Sequence, residues 1–188
     1  AATNKRGVFS LEKVLERQSD NNWTNVLDPF IYQVTATVKN NFGFFAGYHD
    51  GGHTYSSTIF RHDYSDDTVT SSSQLTVAKA SMGAISNSDY GYWFGGRNPS
   101  SSTVSSIDRL DFNNNTTATS PKGNLAETIW INDSAGNTSY GYAHGQTSGF
   151  YKSKIFRIDY SNDTATAPSH TNLPYNIYYG SGLGNQNY

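Results

Sequence analysis

Ile155-Phe156-Arg157-Ile158-Asp159-Tyr160-Ser161-Asn162-Asp163-Thr164 is a stretch that this chain writes three times. A middle copy runs from Ile107 through Arg109, Asp111 and Phe112 to Thr116. A first copy runs from Ile59 through Arg61, Asp63 and Tyr64 to Thr68. The arginines fall at 61, 109 and 157, a constant step of 48 residues. A fixed period of this length marks a repeat architecture, in which each unit buries an apolar face against the next.

The same step governs the sequence around it. Phe42-Gly43-Phe44-Phe45-Ala46-Gly47-Tyr48 recurs as Tyr90-Gly91-Tyr92-Trp93-Phe94-Gly95-Gly96 and again as Tyr140-Gly141-Tyr142-Ala143-His144-Gly145-Gln146. A leucine follows in each unit, at Leu75, Leu125 and Leu173. Every unit reads as four short strands. The aromatic-glycine strand comes first and the Ile-x-Arg-x-Asp-aromatic strand second. A polar turn follows at Ser65-Asp66-Asp67, Asn113-Asn114-Asn115 or Ser161-Asn162-Asp163, residue types that suit tight turns. The third strand lies beyond it, as in Thr116 to Thr119. The fourth is the stretch before the next aromatic-glycine strand, as in Ala80 to Ser86 and Glu127 to Asn132. The expected units are 42–89, 90–139 and 140–187, within a repeat region 39–188. Four strands in that length is the content of one propeller blade. Three such blades leave two apolar faces open. Closure is expected to come from a longer protein or from other chains.

Composition agrees with an all-β fold and removes several functions. Only 15% of the 188 residues are charged, 14% are aromatic, and the formal net charge is −2. Aromatic strands and small polar turns account for that mixture. A nucleic-acid partner is not expected, because there is no basic block to meet a phosphate backbone. The chain has no cysteine, so disulfides and thiolate metal sites are excluded. No apolar run is long enough for a membrane helix, and membrane insertion is not expected.

Residues 1–38 stand apart as a docking or oligomerisation segment. Ser10 is a natural N-cap for a helix over about 11–19, with Leu11, Val14 and Leu15 at helical spacing and Trp23 as an anchor beyond it. A linker at Pro29 and the alternating stretch Phe30 to Val38 then lead into the repeats.

The repeats resemble the kelch-like β-propeller family. The matching elements are the aromatic-glycine strand ending in Gly95-Gly96, the strand Ile107-Asp108-Arg109-Leu110-Asp111-Phe112, its polar turn and the threonine-rich stretch after it. The wording Arg157 to Thr166 is similar to kelch-like repeats in structural proteins of marine bacteriophages, and Gly7 to Trp23 looks like an opening motif of such proteins. The resemblance implies a virion structural protein, a tail fibre or surface appendage used in attachment or host recognition. Its location would be the virion surface. It would contact other virion proteins through its N-terminal segment, form a homo-oligomer, and meet a host glycan or protein.

Nothing in the chain reads as catalytic machinery. Nucleophile elbows, phosphate loops and dinucleotide fingerprints are missing, so no enzyme activity and no cofactor are expected. Arg61, Asp63, Arg109, Asp111, Arg157 and Asp159 recur at one structural position. They read as structural pairs, because a catalytic constellation is unique rather than periodic. His49 and His53 lie four apart beside Asp50, but Gly51 and Gly52 between them argue against a helix that would align both rings on a metal. Recognition is expected instead in the loops that differ between units, with His49, His53, Tyr55, Arg97, Phe150, Tyr151 and Lys152 as candidate binding residues. Two alternatives carry the same features: a secreted microbial carbohydrate-binding module, and a fragment of a glycan-degrading propeller enzyme.

Overall fold

A computed structural model describes residues 35–39, 41–50, 54–146, 152–162 and 169–177. The helix expected over 11–19, with Leu11, Val14, Leu15 and Trp23, lies outside the described residues.

Among the described residues, twelve strands form three four-stranded antiparallel sheets, each a simple meander. Sheet one holds β1 (Thr35–Lys39), β2 (Phe42–Ala46), β3 (Thr58–Asp63) and β4 (Thr68–Gln74). Sheet two holds β5 (Gly83–Ser86), β6 (Tyr90–Phe94), β7 (Ser106–Asp111) and β8 (Ser120–Asn124). Sheet three holds β9 (Trp130–Gly136), β10 (Tyr140–Gln146), β11 (Lys152–Asp159) and β12 (Ser169–Ile177). The strand before each aromatic-glycine strand pairs with it, as Ala84 opposite Trp93 and Ala135 opposite Tyr142 show. Each sheet therefore starts one strand earlier than the sequence unit that bears its aromatic strand.

Strand alternation decides what is buried. Phe44, Ile59 and Leu75 of sheet one pack with Met82, Trp93, Leu110 and Phe112 of sheet two. On the other face of sheet two, Tyr92, Phe94 and Ile107 pack with Ala143, Phe156 and Ile158 of sheet three. Sheet two is thus sandwiched, and every residue from Gly91 to Gly96 is buried. The repeated glycine of the aromatic strand is required by that packing. A Cβ on Gly91 would sit 2.8 Å from the Thr37 methyl of sheet one and 3.1 Å from the Phe112 ring. The innermost strands meet as well, with β5 touching both β1 and β9.

The third strand of the second unit differs from expectation. Thr116 to Thr119 do not form a strand; β8 begins at Ser120. Asp111 caps a 3₁₀ turn over Phe112–Asn114 by accepting a bond from the Asn113 amide at 2.8 Å. Thr119 is then drawn inward, 6% exposed, to donate to Asp108 at 3.2 Å. Pro121 is tolerated in β8 because an outer strand leaves one edge without a ladder.

Candidate functional site

The strand-connecting segments at one end of the sheets converge on a groove. It is lined by Val77 and Lys79 from the β4–β5 linker, by Asn98 and Thr103 to Ser105 from the β6–β7 connection with Ser106 at the start of β7, and by Asn124 and Thr128 around the β8–β9 linker. Its volume is about 440 Å³, which falls in the range of small-ligand clefts. Hydroxyl and amide groups dominate its polar wall, and Val77 and Val104 supply apolar surface. The Thr103 hydroxyl donates to that of Thr128 at 3.1 Å across the two segments.

An ion pair lies at the inner wall. Lys79 and Asp108 are 1% and 0% exposed, and Lys79 Nζ stands 2.7 Å from Asp108 Oδ2. Lys79 Nζ also donates to the Ser106 hydroxyl at 3.1 Å. Asp108 Oδ1 accepts from the Thr76 amide at 3.1 Å, from the Thr76 hydroxyl and from Thr119. Burial pushes the Lys79 ammonium below its ordinary pKa, against the pull of Asp108. The repeat makes this pair unusual. Positions equivalent to Asp108 hold Phe60 and Phe156, and the position equivalent to Lys79 holds Ile129 in the next linker. Ile129 and Phe156 share one apolar cluster.

The loop candidates fall in separate places. His49 and Tyr55 face each other across one loop of sheet one, joined by a β-bridge with ring centroids 5.4 Å apart. Asp50 closes that loop by accepting from the Thr54 amide at 3.0 Å. Arg97 is anchored by backbone bridges to Ala80 and Thr103, and its guanidinium lies 3.5 Å from the Trp130 ring centroid. That stack commits Arg97 to joining sheet two to the first strand of sheet three. Lys152 opens β11, opposite Ile177. His53, Phe150 and Tyr151 lie outside the described residues. Among the described residues, no group of three or more His, Cys, Asp or Glu side chains could hold a metal ion.

The periodic arginines and aspartates do two different jobs. Arg61, Arg109 and Arg157 lie over the rings of Phe42, Tyr90 and Tyr140, at 4.8, 4.0 and 4.7 Å from the centroids. Asp63 and Asp159 accept from the amide and hydroxyl of Ser65 and Ser161, as Asp111 does from Asn113. Those bonds, with a smaller contribution from Arg61 and Arg157, hold the Asp63 and Asp159 carboxyls below the ordinary value of 3.8. Sequence reasoning read strand-face pairs and did not anticipate the ring stack of each arginine or the turn cap of each aspartate. It also missed the groove, whose lining comes from segments of no shared motif.

No family model matches the chain, and no curated protein matches it. Among solved structures it is similar to one described as "Structure of YjhT", with a TM-score of 0.63 and 9% sequence identity. The match covers 76% of this chain and 52% of that one, so the chain spans about half the length of that protein. At this identity the likeness concerns the fold alone.

Proposed function

We propose that the chain is a non-enzymatic recognition module of a bacteriophage particle, a tail fibre or other surface appendage built from kelch-like blades. The carrying observation is the division of labour within the repeat. Each sheet spends its periodic residues on ring stacks, turn caps and apolar packing. The connections that differ between the first two sheets, described over 47–50, 54–57 and 95–105, lie at the same strand ends as the groove-lining linkers. A rigid frame with one variable end is how binding surfaces are usually mounted. The phage-like wording of Arg157 to Thr166 supports the virion setting. Mass spectrometry and immunogold microscopy of purified particles test this reading. The protein is expected in the particle at its surface; its absence from every particle fraction overturns the proposal.

The groove favours a second reading, a secreted carbohydrate-binding module. Its wall of Asn98, Ser105, Asn124 and Thr128 offers adaptable hydrogen bonds to a neutral polyhydroxylated ligand. A glycan array separates the two. Saturable binding that is lost with Asn98→Ala, by a protein found in no virion, favours the second.

A further inference from the structure

Several polar groups of the groove are already oriented by the protein itself. Lys79 Nζ donates to the Ser106 hydroxyl oxygen at 3.1 Å while it stands 2.7 Å from Asp108 Oδ2. An ammonium has only donors, so the Ser106 oxygen accepts in this contact and its own hydrogen is turned elsewhere. Ser106 lines the groove. The Asn98 side-chain oxygen is taken in the same way, by the Ser100 amide at 3.1 Å and the Ser102 amide at 3.0 Å. Those bonds fix which way the Asn98 amide faces and leave its N–H groups for a ligand. The Thr128 oxygen accepts from the Thr103 hydroxyl at 3.1 Å. What Ser106, Asn98 and Thr128 have left to offer is mainly hydrogen. Asn124 lies directly opposite Ser106 in the β7–β8 pair, hence on the same face, and its amide can accept as well as donate. The groove is also neutral. Lys79 is the one charged residue in its lining, and Asp108 compensates it within a pair that is 1% and 0% exposed. Val77, 55% exposed, and Val104 add apolar surface.

We propose that the groove binds a sugar carrying an N-acetyl group. The acetamido carbonyl accepts from Ser106 and Asn98, its N–H meets Asn124, and its methyl rests on Val77 and Val104. A sugar hydroxyl brings a hydrogen with its oxygen, and against donors already oriented that hydrogen loses its water partner without gaining another. A carbonyl brings an acceptor alone. A carboxylate would do so too, but the lining has no uncompensated positive charge to offset its desolvation. Lys79 is a positioning residue here, acting on the ligand through Ser106, whose O–H is polarised by the charge behind it. The proposal rests on the glycan reading of the groove and narrows it to a ligand class.

Calorimetric titration of the chain with three trisaccharides tests this: N-acetylated chitotriose, its de-N-acetylated form, and cellotriose, which has hydroxyls in place of the acetamido groups. Saturable binding of the N-acetylated sugar is expected, about tenfold or more tighter than of the other two. Ser106→Ala and Asn98→Asp are each expected to weaken that binding about tenfold and to change cellotriose binding less. Asn98→Asp keeps the oxygen that caps the Ser100 and Ser102 amides, and circular dichroism checks that both variants fold. Lys79→Met with Asp108→Asn removes the donor behind Ser106 without leaving a lone charge. In that variant the preference for the N-acetylated sugar is expected to shrink, whereas a merely structural role would lower all affinities alike. Equal or tighter binding of cellotriose overturns the proposal and leaves the glycan reading standing. A preference for the N-acetylated sugar that survives both single substitutions overturns it as well. Saturable binding of none of the three overturns both.

Discussion

Asp108 is the residue where the repeat departs from itself, and its environment makes a sharp expectation. Removing one partner of a buried pair leaves the other charge without compensation, whereas replacing both with packed apolar groups is often neutral or better. Asp108→Ala is therefore expected to lower stability by about 3–5 kcal/mol. Lys79→Ile with Asp108→Phe, which copies Ile129 and Phe156, is expected to recover most of that loss. Urea unfolding of the single and double variants measures both. The turn aspartates behave differently because they are exposed. Asp63 and Asp159 have carboxyls held below 3.8 by serine amides and hydroxyls. Their contribution to stability is present above the unfolded-state pKa and is lost as the pH falls through the lower folded value. Carboxyl carbon shifts followed by NMR should titrate below 3.8 at these two positions, and in the Ser65→Ala variant the Asp63 midpoint should move up.

At the scale of the element, the aromatic-glycine strand carries the tightest constraint. Gly96 has φ +101°, and a Cβ there would meet the Ala80 carbonyl oxygen at 2.6 Å. Gly96→Ala is expected to cost about 1–3 kcal/mol through strain and displaced backbone, read as a lowered unfolding midpoint. The aligned glycines of the first two copies share a left-handed turn, Gly47 at φ +60° and Gly95 at +64°. In the third copy β10 runs on to Gln146, with a register shift after His144. These strands were legible in the sequence because alternation and period coincide in them. The strand placed at Thr116 to Thr119 was not. Threonine favours a strand locally, but the Asp111 cap and the pull of Asp108 on Thr119 move the chain into a turn.

For the whole molecule, stability is expected to be graded rather than uniform. Sheet two packs on both faces, whereas β4 and β12 are outermost strands with exposed residues such as Val69 and Tyr175. Hydrogen exchange should therefore be slowest in peptides covering β6 and β7 and fastest in those covering β4 and β12. Equal protection throughout would contradict a core that lies between sheets.

The sequence by itself determined the all-β class, the repeat of 48 residues and the strand-turn-strand frame. Each of these is a local property, set by alternation, turn chemistry and period, and so it can be read from neighbours along the chain. Only the tertiary structure decided that the strand before each aromatic-glycine run belongs to the following sheet, since pairing across a linker is not a local property. It also decided that Arg97 stacks on Trp130, and that Lys79 meets Asp108 across 29 positions. The groove belongs to the same category: its walls come from segments between Val77 and Thr128 that only sheet-on-sheet packing brings together.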